Sequence, residues 1–230
     1  YLRAQDGAEL LRLGVAQRLT LEDCVGQDGC PQTSSQPLSD VLVEAHAQWD
    51  DRWSAELSAQ LDQDTQETRR SIATARYSPS NYRTLSVSYR YQNPKVIEST
   101  NPETEHLDFG WQWPISDLWG ADAQDEGPGR GLGVGRWYSV GKVNYSMTEK
   151  TVVDLIAGFE YDAGCWIGRI VVERLQRSAS SANQRILFQL EFTGFSRIGS
   201  NPLQTLKDNV PRYQYLREDI NPPSRFQQYD

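Results

Sequence analysis

No run in this 230-residue sequence is apolar and long enough to cross a membrane as a helix, and only 38% of its residues are hydrophobic. A basic excess is also missing. Lys and Arg number 23 against 31 Asp and Glu, and the net charge of −8 argues against a nucleic-acid backbone as partner. Histidine is scarce: His46 and His106 stand at no ligand spacing from each other or from a cysteine, so no metal is expected. No nucleophile–base–acid set stands out, and neither an enzyme nor a cofactor is expected. Gly127–Gly135 (GPGRGLGVG) looks like a phosphate loop, but no strand–helix context surrounds it. The chain starts at Tyr1 with no initiator methionine and no signal peptide, which reads as a processed product or a fragment. Three cysteines leave one over if two pair. The lack of an apolar helix leaves one membrane class open, because barrel strands are half polar and their hydropathy signal is weak.

What the chain does contain is period-two alternation. It is clearest over Thr151–Phe195, which reads as three strands joined by a tight turn at Asp162–Gly164 and a polar loop at Arg177–Gln184. Ile186, Phe188, Leu190 and Phe192 share one face of the last strand, and Gln189, Glu191 and Thr193 the other. The same pattern recurs over 8–22, 39–49, 53–61, 69–77, 83–91, 107–113 and 136–147. Loops are expected at 23–37, 62–68 and 93–105, a turn at Ser78–Tyr82, and a long flexible turn over 116–133. The spacing predicts ten strands. At roughly 3.3 Å per residue and a tilt near 45°, each is long enough for a hydrophobic band of about 25 Å.

Alternation alone does not say what lies against the apolar face. A soluble barrel or sandwich points large apolar residues inward, whereas a membrane barrel inverts the sense. Aromatics near strand ends (Trp49, Trp53, Trp111, Trp113, Trp137, Trp166) and links alternating between short and long favour the inverted, transmembrane reading. A general porin, a lipase-type barrel using His106, and a soluble β-sandwich binding module remain as rivals.

Phe109–Gly120 (FGWQWPISDLWG), Gly135–Ser146 (GRWYSVGKVNYS), Phe159–Leu175 and Ile186–Tyr215 resemble the C-terminal part of the LPS-assembly protein family, LptD. The resemblance is strong over 105–217 and looser, though in register, before it. It implies an all-β, antiparallel up-and-down barrel of 26 strands in the outer membrane of a Gram-negative bacterium. This chain would hold strands 17 to 26 as an open, incomplete ten-strand portion over 1–195, followed by a periplasmic tail over 196–230. The implied function is delivery of lipopolysaccharide to the outer leaflet through a lateral opening. Its partners would be lipopolysaccharide, outer-membrane lipid, an LptE-like lipoprotein plug, and a periplasmic Lpt bridge reached through an N-terminal domain outside this chain. A porin chain typically ends on its last strand, so the 35 residues after Phe195 count against that rival.

The resemblance also implies roles for residues. Family members often have adjacent cysteines in the turn that holds Cys165, bonded to the N-terminal domain; here Gly164 precedes a single cysteine. One such bridge, or a half-buried free thiol, is expected. Cys24 and Cys30 flank an outer loop, where an oxidising compartment favours a local disulfide. Lys142, Arg169, Glu173, Gln189 and Glu191 face the lumen. They either meet lipopolysaccharide sugars and phosphates, or LptE, or simply keep the lumen wet and cross-paired. Ile186, Phe188, Leu190 and Phe192 mark the lateral-gate strand, which is expected at a sheet edge with no partner beyond it in this chain.

Overall fold

The computed structural model describes residues 1–2, 9–17, 40–63, 67–93, 104–120, 125, 127, 130–178, 181–193 and 196–217. It contains eleven strands: β1 (Leu11–Ala16), β2 (Val41–Gln48), β3 (Trp53–Leu61), β4 (Thr68–Ser80), β5 (Arg83–Gln92), β6 (Thr104–Pro114), β7 (Arg136–Ser146), β8 (Thr151–Asp162), β9 (Trp166–Ser178), β10 (Ser181–Phe192) and β11 (Ser196–Gly199). A helix, α1 (Pro202–Asn209), follows β11. Each strand is hydrogen-bonded to its neighbours in sequence, in the linear order β1 to β11. Among the described residues the sheet is an antiparallel up-and-down meander in which β1 and β11 do not pair, as expected for part of a barrel.

Five expectations are corrected. Among the described residues there are eleven strands rather than ten, because Gln189–Phe192 of β10 pair with Ser196–Gly199. β10 is therefore not without a partner: β11 covers one end of its outer edge. The loop expected at Arg177–Gln184 is mostly strand, since β9 runs to Ser178 and β10 starts at Ser181 with its register set against β9. Polar side chains there mimic loop composition. The turn expected over Ser78–Tyr82 shrinks to Asn81–Tyr82, with β4 continuing through Pro79 and Ser80. The expected flexible turn over 116–133 contains a 3-10 helix at Ile115–Trp119, ended by left-handed Gly120, and a fully buried Leu132. Its Asp117 carboxylate accepts from Arg83 at 2.5 and 2.9 Å, which anchors a segment whose composition reads as loop.

The chain divides into two compact units. The first comprises Tyr1–Ala75, Ser88–Leu107 and Met147–Glu149. Its β1–β3 ladder pairs Val15 with Val43 and Ala45 with Leu57. Among its polar contacts, Arg69 binds Asp62 at 2.5 Å and Asp40 at 3.2 Å.

The second unit, Arg76–Val87, Asp108–Ser146 and Lys150–Asp230, contains the aligned stretch of β7 to β10. β-Branched and aromatic residues favour strand in TVVDLIAGFEYD and WIGRIVVERL, and Glu160 lies directly opposite Arg169. Two buried apolar clusters form: Tyr82, Leu132, Tyr138, Ile167 and Leu216 in one; Val140, Ile156, Val171, Leu206 and Val210 in the other. Both are built partly from residues after β11. The segment that follows the sheet thus belongs to the interior of this unit. Its helix starts where the Asn201 side chain accepts from the Gln204 N–H with Pro202 in the first turn, and buries Leu203 and Leu206.

Candidate functional site

In the second unit the two faces of the sheet are inverted relative to a water-soluble protein. Arg169 is 1% exposed and Glu160 0%, while Phe188, on the other face, is 54% exposed and Ile170 47%. Thr84 and Ser86 of β5, and Asp108 and Gln112 of β6, are buried; Val87 and Phe109 are exposed. A soluble sandwich would do the reverse, since burying charge costs free energy that burying Phe or Ile returns. That rival fails on these residues.

The buried face centres on Arg169. Its Nε donates to Glu160 Oε1 at 2.8 Å, and one terminal nitrogen donates to Glu191 and, at 3.3 Å, to Gln189. Cross-strand register places these groups: Arg169 opposes Glu160 on β8 and Gln189 on β10, with Glu191 on the adjacent diagonal. Glu191 is also met by Arg197 from β11 at 3.2 Å. Glu173 pairs with its direct opposite, Arg185, at 2.5 Å. Lys142 lies 3.6 Å from Asp108, which also accepts from Asn144 at 2.9 Å. Four of the five charged or amide residues singled out from sequence (Arg169, Glu173, Gln189, Glu191) are therefore buried on one face. Lys142 is a quarter exposed and belongs to a separate pair.

Sequence reasoning missed the groups that arrive from beyond β11. The Tyr213 hydroxyl donates to Glu160 Oε1 at 2.5 Å. Burial first, then the neighbouring carboxylate, pushes that hydroxyl well above the ordinary tyrosine range, although the ring keeps some exposure. Arg217 meets Asp162 at 3.2 Å. The Gln112 side-chain amide exchanges two 2.9 Å bonds with the backbone of Gln214, imitating a strand rung. Gln214 in turn accepts from the N–H of Tyr82, a non-glycine residue held at φ 60° in the β4–β5 turn. These pairs are 53 to 132 residues apart in sequence, and no periodicity links them.

The outer edge of β10 carries Ile186, 66% exposed, followed by Phe188. Ser200 extends the β11 pairing by one rung: its hydroxyl accepts from the Phe188 N–H at 2.7 Å and donates to the Phe188 carbonyl at 2.9 Å. Gly199, at φ +111°, allows this approach; a Cβ there would stand 2.3 Å from the Phe188 oxygen. Among the described residues no strand lies beyond Ser181–Leu187. Leu190 and Phe192 lie under β11, so only Ile186 and Phe188 of the expected gate residues flank the open stretch. Cys165 sits in the β8–β9 turn as an exposed free thiol, and the turn is tied to the end of β10 by Thr193, which donates to the carbonyls of Cys165 and Gly164 at 3.0 and 3.1 Å. Cys24 and Cys30 lie outside the described residues.

The family described as LptD, LPS transport system D, matches residues 1–119. The chain belongs to the LptD family. It is similar to the LPS-assembly protein LptD of Albidiferax ferrireducens, at 53% identity over 97% of this chain, and to that of Paracidovorax citrulli, at 50% over 100%. The LptD of Chromobacterium violaceum is 32% identical over 95% of the chain. The chain spans 27% of the length of the first two relatives and 25% of the third. The family match ends on Trp119, so it takes in WPISDLW and stops ahead of the GRWYSV and post-β10 motifs, whereas the relatives align across both halves. LptD membership favours the lipopolysaccharide reading over the general porin.

Proposed function

We propose that this chain is the terminal portion of an outer-membrane barrel that assembles lipopolysaccharide into the outer leaflet, with no covalent change to the lipid. One observation carries the reading: the buried face holds Arg169 and Glu160 while Ile170, Phe188 and Ile186 are left exposed, as a lipid-facing wall requires. The printed name of the relatives, LPS-assembly protein, supplies the cargo. The open edge over Ser181–Leu187 is one side of the lateral exit, its opposite side lying in a part of the protein outside this chain. An LptE-like lipoprotein occupies the lumen, and a periplasmic Lpt bridge feeds the remainder of the protein. The exposed thiol of Cys165 suits a bridge to that remainder. Lys142, with its Asp108 partner, is a lumen cation left partly accessible to a charged headgroup.

Depleting the full-length protein from its Gram-negative host, while labelling newly made lipopolysaccharide at the cell surface, tests this. Surface label is expected to fall and to recover on re-expression. Undiminished surface label, with uptake of small solutes lost instead, would return the porin to first place.

A further inference from the structure

The segment after β11 makes too many specific contacts with the wall to be a loose tail. Gln214 is held by Gln112 through two bonds of 2.9 Å, Tyr213 by Glu160 at 2.5 Å, and Arg217 by Asp162 at 3.2 Å. Leu206 and Leu216 are completely buried. The wall is also shaped for the segment: at Gly110 a Cβ would stand 2.8 Å from Pro211, so the absence of a side chain there admits the proline ring. We propose that Asn201–Arg217 is a permanent strap on the buried face, which stays docked while lipid is delivered. Lipopolysaccharide therefore does not travel over the wall formed by Gln112, Glu160, Asp162 and Arg169.

The chemistry follows from which groups are already taken. A sugar-phosphate headgroup needs free donors and cations. On this wall the Arg169 guanidinium is divided among Glu160, Gln189 and Glu191, and Arg217 is committed to Asp162. Lifting the strap would expose Leu206, Val210 and Leu216 and leave Asp162 without Arg217. It would offer the lipid mostly carboxylates, which repel phosphate. A plug that moved aside for an anionic lipid would be expected to uncover cations instead. The strap's other consequence is mechanical, because the cluster that buries Leu206 also holds Val171 of β9 and packs against Leu187 of β10, beside the open edge.

The inference rests on the lipopolysaccharide reading, and its test separates the two. In the full-length protein with its partners, Gly110→Cys and Pro211→Cys place thiols at facing positions of wall and strap, the proline ring that would meet a Cβ at 110 being removed. The same variant is compared reduced and oxidised, scoring delivery of lipopolysaccharide to the surface. Unchanged delivery on oxidation is expected. Delivery that stops on oxidation and returns with reductant would overturn the strap. If the reduced protein folds yet no form of it, the unaltered one included, delivers lipopolysaccharide, the functional reading has failed. A photo-reactive residue replacing Gln112 then still reports on the wall. It is expected to link only to residues 201–217 of its own chain; an adduct to purified lipopolysaccharide added in vesicles overturns the proposal.

Discussion

Arg169 holds two buried carboxylates at once. Removing its guanidinium by Arg169→Ala leaves Glu160 and Glu191 at 0% and 5% exposure without their shared cation. Breaking a buried pair from one side typically costs about 3–5 kcal/mol. A loss of that order in unfolding free energy, read from denaturant titration of the refolded full-length protein, is expected, whereas truncating Arg185, the exposed partner of Glu173, should cost less. Tyr213 offers a subtler test, because its hydroxyl is held protonated above the usual range by burial and by Glu160. Tyr213→Phe should lose about 1.5–3 kcal/mol at neutral pH, the usual worth of a bond to a charged group. An unfolded tyrosine ionises near pH 10. The stabilisation from Tyr213 is thus intact below that pH and fades as pH rises past it. The gap between wild type and Tyr213→Phe should therefore narrow in alkaline solution, when midpoints are compared at about pH 8 and about pH 11.

At the scale of the strand, the inverted faces make an equally direct prediction. Phe188→Arg places a cation on the exposed face of β10. If that face meets lipid, the change should cost about 2–4 kcal/mol on folding into vesicles, with a smaller cost near the interfaces. If it met water, the change would be nearly neutral. Most strands were legible in the sequence, because Val, Ile and aromatic residues alternate with polar ones in β7 to β10 and a period of two has few other causes. The ends were less so: Ser178 and Ser181 read as loop although both lie in strand, since polar composition there reflects the setting and not the backbone. β11 was missed because four residues are too short to show a period. Within the site, the placement of Arg169, Glu173, Gln189 and Glu191 on one face follows from alternation, and Glu160 stands on the polar face of its own strand. Tyr213, Gln214 and Arg217 lie in no periodic segment. Their roles depend on how the chain returns to a wall formed dozens of residues earlier, and spacing carries no record of that.

At the scale of the molecule, the described sheet has two ends, β1 and the β10–β11 pair, and the second carries a side-chain stop. In β10, every second residue turns its N–H and C=O toward the same neighbour. Phe188 turns its pair toward Ser200, so Ile186 and Gln184 turn theirs the same way, toward the open side. A strand joining there meets Ser200 at one limit, and slipping it by a single residue would send its oily side chains to the wrong face. The hydroxyl therefore works as a datum for counting: whichever strand docks against β10 has its first available rung fixed by one serine, much as a ruler is read from a stop rather than from its middle.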